Sequence, residues 1–199
     1  MRLDRNRQAG VEIQYSLIFL IMKRPSFVHK GNRYHLTHLD SFDWHYRVKA
    51  GRERPDWICK FQVIFSDHCF TRNPFSGEEV AEDMWHEGPR GKRVFCFKRY
   101  ELSFRLPEII RTLGERVCYR TPHGNFLTVV ALTIREGKQV EYEIYFDVVR
   151  ASRKGWLHLI VQSAYERTKD HETMRKKRKI RLDVIAYNRR VGKAIRSGP

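Results

Sequence analysis

Several features that would assign this chain quickly are missing from it. Its 199 residues contain four cysteines, Cys59, Cys69, Cys96 and Cys118, spread apart with no Cys-x-x-Cys pair. That spacing argues against a zinc site or a disulfide framework and predicts reduced thiols in a cytoplasmic protein. There is no internal repeat and no extended low-complexity segment, and no helix-turn-helix or zinc-finger signature for reading duplex DNA. Long apolar runs are absent too. Tyr15 to Met22 covers only eight residues, too few to span a bilayer, and the basic Lys23-Arg24-Pro25 follows where a signal-cleavage region should be. Met22 therefore reads as the natural start, with residues 1–21 an upstream extension or an added edge strand.

Acidic residues are also scarce. Asp and Glu number 23 against 39 Lys and Arg, a net charge of +16. Residues 175–199 hold ten Lys or Arg against the single acid Asp183, so they carry +9 of that excess. Its centre is Arg175-Lys176-Lys177-Arg178-Lys179-Ile180-Arg181, six cations in seven residues leading into an apolar stretch. A cationic run anchored to a fold implies a polyanionic partner. No amphipathic helix of membrane type accompanies the run and aromatic residues reach 13%, which favours nucleic acid over a membrane surface.

The alternation of apolar and polar residues predicts an α+β fold: a mostly antiparallel β-sheet, built as one domain over residues 22–199, with an additional N-terminal β region over 26–49. Strands are expected at 57–65, 93–97, 125–135, 139–150, 156–165 and 179–187. Leu102, Leu106, Ile109, Ile110 and Leu113 recur at helical spacing and predict the main helix at about 100–115, started or kinked by Pro107. A short acidic helix is expected at about 77–85. The segment from Ile180 also fits a helical stripe through Val184, Tyr187, Val191 and Ile195, but its β-branched residues favour a strand, followed by a turn or short helix at 188–193.

In the hairpin 139–165, Tyr142, Ile144, Phe146 and Val148 share one face with Leu157, Leu159 and Val161. Glu141, Glu143, Tyr145 and Asp147 share the other with Trp156, His158, Ile160, Gln162 and Ala164. Keeping like faces together places His158 opposite Asp147 or diagonal to it, beside Tyr145, Gln162 and Trp156. An aspartate orienting a histidine suits general acid–base work on an RNA 2′-hydroxyl or phosphodiester, with no metal or other cofactor required. A second candidate site is His68 and Cys69 with Arg72, at a strand end. A Cys–His–Asp triad within Asp67-His68-Cys69 is disfavoured because neighbouring strand residues point to opposite faces. The histidine-rich stretch from His35 to His45 matches no trusted metal signature.

From Arg93 to Tyr165 the order of strand, helix and three antiparallel strands resembles the RelE-like toxin ribonucleases. That resemblance implies metal-independent RNA cleavage; no motif carries a catalytic residue over. The expected function is nucleic-acid binding, RNA before DNA, through Arg175, Lys176, Lys177, Arg178, Lys179, Arg181, Arg189, Arg190 and Trp156, with toxin-type endoribonuclease activity as its enzymatic form. The rival is a non-catalytic prophage or mobile-element protein that meets an acidic protein partner.

Overall fold

A computed structural model of the chain describes residues 24–49, 55–89, 91–134, 137–167 and 178–195. The chain segment 1–21 and the cations Arg175, Lys176 and Lys177 lie outside the described residues.

The strands are β1 (Phe27–His29), β2 (Asn32–Tyr34), β3 (Phe42–Val48), β4 (Trp57–Phe65), β5 (Thr71–Arg72), β6 (Trp85–Gly88), β7 (Gly91–Phe95), β8 (Cys118–Arg120), β9 (Phe126–Thr133), β10 (Gln139–Arg150), β11 (Trp156–Glu166) and β12 (Lys179–Ile180). The helices are α1 (Phe97–Ser103), α2 (Leu106–Arg111) and α3 (Leu182–Val191). The protein is mostly β, with few helices, in the α+β manner expected. Its main sheet has the order β12-β8-β9-β10-β11-β4-β3. Neighbours are antiparallel except β11 and β4, the fifth and sixth strands of the order, which run parallel. A small sheet β5-β7-β6 and the hairpin β1–β2 complete the β structure.

β10 follows its two-residue period. Tyr142, Ile144, Phe146 and Val148 are all fully buried and join Leu157, Leu159 and Val161 of β11 and Phe61, Val63 and Phe65 of β4 in one core. At about 1.5–3 kcal/mol for each large apolar side chain removed from water, this face dominates the driving force for folding. A β-bulge breaks the hairpin register. Tyr145 pairs with Ser163 but Phe146 with Val161, so Gln162 is the extra residue. The bulge turns Ala164, expected on the polar face, into the core opposite Ile144.

The helical pattern at 100–115 forms two short helices instead of one. Pro107 lacks an N–H and starts α2, while Arg105 N donates to Leu102 O, the tight bond that closes α1. The acidic helix expected at 77–85 does not form, beyond a single 3₁₀ turn at Glu82–Met84. Glu78 instead accepts from Arg72 and from Phe75 N, which consumes the acid that would have stood in a helical first turn.

The strand expected over 179–187 lasts two residues and gives way to α3. Leu182, Ile185 and Ala186, at positions i, i+3 and i+4, are completely buried. Gly192, at φ 73°, ends the helix in the left-handed conformation, with Lys193 N donating to Asn188 O. The Arg150 guanidinium, from the end of β10, donates to the exposed carbonyls of Arg189 and Arg190.

Candidate nucleic-acid interface

The edge of the main sheet is where positive charge gathers. β12 pairs with β8 through Lys179 opposite Tyr119 and Ile180 opposite Cys118, and Arg120 N donates to Arg178 O. Strand alternation then sends Ile180 inward and Lys179 and Arg181 outward. Between this edge, α3 and the turn Leu113–Glu115 lies a groove of about 810 Å³. Arg116, Arg120, Arg178, Lys179 and Arg181 line it, and Glu115 is the single acid among its lining residues. Val117, Ile180, Val184 and Ile195 give it an apolar floor.

The cations differ in how they are held. The Arg116 guanidinium donates to the Thr112 hydroxyl at 3.0 and 3.2 Å, a neutral partner that fixes the head and leaves its charge uncompensated. Arg181 is 80% exposed and lies 3.0 Å from Asp183, a geometry that costs little to break in water. Among the described residues, Arg120 Nη1 is shielded from solvent with no hydrogen-bond partner. A buried donor without an acceptor is costly.

The other expected interface residues lie elsewhere. Arg189 donates to Asp147 at 3.0 Å, and its guanidinium lies 5.7 Å from the Phe126 ring centroid. Arg190 sits over Trp57 at 5.2 Å. Trp156 is on β11, four strand spacings or roughly 19 Å from β12. It is 8% exposed, flanked by Arg153 at 4.2 Å and His45 at 5.6 Å.

The hairpin residues expected to act together are engaged with other partners or buried. His158 faces Val149, with Asp147 diagonal to it, as one of the two expected registers required. The Asp147 carboxylate, however, accepts from Arg189 and from Val148 N. His158 is 6% exposed; burial lowers its pKa, and Nδ1 has no hydrogen-bond partner among the described residues. Tyr145 donates to Glu143 Oε2 at 2.8 Å, and burial first, then bonds to Tyr165 and Glu143, raise its hydroxyl far above the ordinary value. Gln162, aimed by the bulge, accepts from Asn125 Nδ2 at 2.6 Å.

The second candidate site also differs from expectation. Asp67–Cys69 forms a 3₁₀ turn, so the opposite-face argument does not apply there. Cys69 is completely buried with its thiol pushed up to about 12, and Arg72 is committed to Glu78. What the turn builds is a buried ion pair. The Arg24 guanidinium meets Asp67 Oδ1 at 2.7 Å and donates to Phe65 O, while His86 Nε2 lies 3.8 Å from Oδ2. Burial raises the Asp67 carboxyl, but the bonds and charges of His86 and Arg24 outweigh it and hold the group below its ordinary value. Gly88 is required here, since a Cβ would fall 2.0 Å from Asp67 Oδ2. No local sequence signal links Arg24 to a residue 43 positions away.

Among the described residues no group of three or more His, Cys, Asp or Glu is placed to hold a metal ion, and no helix is long and apolar enough to cross a membrane. No curated protein and no solved structure matches the chain. The family model of the YjaZ family matches residues 26–190, which include every cation of the groove, and the chain belongs to that family.

Proposed function

We propose that this member of the YjaZ family binds nucleic acid, single-stranded RNA ahead of DNA, by laying phosphates along the basic groove at the β12–β8 edge. The observation that carries the reading is the convergence of Arg116, Arg120, Arg178, Lys179 and Arg181 on one groove that contains a single acid. Clustered cations raise the local concentration of a polyanion and release its counterions on contact. Arg120 Nη1, orphaned among the described residues, supports an anionic oxygen as the group that completes the site.

Binding is the whole of the proposal. The RelE-like element order carries no catalytic residue over, and His158, the base that the hairpin register offered independently, is buried. The apolar floor formed by Val117, Ile180, Val184 and Ile195 favours one other reading, an acidic protein segment in the same groove.

Fluorescence anisotropy with labelled single-stranded RNA, DNA of the same sequence, and polyglutamate as competitor separates these readings. The proposal expects RNA to bind tightest and polyglutamate to displace it poorly. Displacement by polyglutamate at matched charge would favour the acidic protein partner, and no binding of either nucleic acid would end the proposal.

A further inference from the structure

Phe104 occupies the break between α1 and α2 and is 51% exposed, yet it is not loose. One face of its ring stacks on the His38 imidazole, with centroids 3.9 Å apart and planes 12° from parallel. Tyr100 meets it edge-on, at 5.1 Å and 81°. Ser103 Oγ spends its only proton on Tyr100 O at 2.6 Å, so His38 Nε2, 2.7 Å from the same oxygen, must be the donor. Burial, and after it the charge of Arg24, lower His38 to about 4. The imidazole beneath Phe104 is therefore neutral near pH 7, held in one tautomer and one orientation.

The result is an aromatic platform fixed before any ligand arrives. It lines a second groove, of about 970 Å³, between the α1–α2 break and the end of the β9–β10 hairpin. Leu132 and Ile134 add apolar surface, and Lys98, Arg105 and Lys138 add positive charge, against Glu101 and Glu166. Lys98 is paired with Glu166 at 2.7 Å, which leaves Arg105 and Lys138, among the described lining residues, as the cations available to an incoming anion.

We propose that this groove takes one unpaired nucleobase, stacked on Phe104, with Arg105 and Lys138 meeting its flanking phosphates. The inference rests on the binding of nucleic acid at the basic groove and extends it to a second contact. A flat ring already stacked on one side suits a π-face whatever the base, and the two cations match a phosphodiester better than they match an apolar side chain. The two grooves also border the same stretch of chain. Arg105 lines this one and Gly114 the other, nine residues apart through α2 and the turn after it, about 14 Å at a helical rise. A few nucleotides of one strand can reach both.

The test compares the full-length protein with Phe104→Ala and Phe104→Trp, using a short labelled single-stranded RNA and the matched RNA duplex. Phe104→Ala is expected to weaken single-strand binding by roughly 5- to 100-fold and to change duplex binding little, because paired bases cannot enter the groove. Phe104→Trp is expected to bind as tightly as the native protein and to show indole quenching on RNA addition beyond that of the native protein, whose four tryptophans set the background. Single-strand affinity of Phe104→Ala within twofold of the native protein, equal losses on both RNAs, or no such added quenching would overturn the stacking inference while leaving the basic groove standing. Failure of the native protein to bind either RNA would overturn both.

Discussion

The Asp147 carboxylate accepts a 3.0 Å hydrogen bond from Arg189, tying the longest strand of the sheet to the last turn of the C-terminal helix. The carboxylate that could have oriented His158 is thereby engaged by a cation, and the same contact removes Arg189 from the basic surface. It also sets the position of α3, which forms one side of the groove. Arg150 reinforces the joint by capping the helix carbonyls of Arg189 and Arg190.

Because Asp147 and Arg189 are less than one-third exposed, the pair should contribute measurably. A double-mutant cycle of Asp147→Ala and Arg189→Ala, followed by urea unfolding, is expected to show a coupling of about 1 kcal/mol. Additive losses would mean that the contact merely coexists with the fold.

The Arg24–Asp67 pair is buried, so breaking it costs more. Arg24→Ala leaves the Asp67 carboxylate without its main cation and should destabilise the protein by about 3–5 kcal/mol. Asp67 sits below its unfolded value, so its stabilising contribution is complete above the ordinary carboxylate range and disappears as pH falls through the lowered value. Urea midpoints measured from neutral to acid pH should decline at the acid end, with a shallower decline in Asp67→Asn.

The buried thiols predict chemical silence. Cys59, Cys69 and Cys118 are each pushed up to about 12 by burial and expose almost no surface. A thiol-reactive dye should leave all three unmodified in the native protein at neutral pH and label them on unfolding. Rapid native labelling of Cys69 would reopen the Asp67–Cys69 turn as a reactive site.

What could be read in advance follows from the range of the interactions involved. The alternation through Tyr142, Ile144, Phe146 and Val148 is local, and it marked the core face of β10 directly. The bulge at Gln162 depends on distant groups: Ser66 Oγ donates to its carbonyl and Asn125 to its side chain, and neither belongs to the hairpin. The helical stripe Ile180, Val184, Tyr187, Val191 and Ile195 offered α3 as an alternative but not its buried face, which is Leu182, Ile185 and Ala186; the β-branched residues around Ile180 and Ile185 pointed to a strand, and packing against β10 decided the outcome. The basic run was visible from composition alone, whereas Arg116 and Arg120 join it only through the pairing of β12 with β8. The site at Phe104 requires His38, brought 66 positions along the chain to lie beneath it.

The central claim is that the groove at the β12–β8 edge binds phosphates, and the salt dependence of RNA affinity tests it most directly. The native protein is expected to lose affinity steeply as salt rises, with log K falling linearly in log salt. Lys179→Glu combined with Arg181→Glu, two exposed changes that leave the core untouched, should weaken binding at every salt concentration and reduce the slope by about 1.4, or about 0.7 per lost phosphate contact on a single strand. An RNA affinity indifferent to salt, or a double variant with the native slope and affinity, would contradict it.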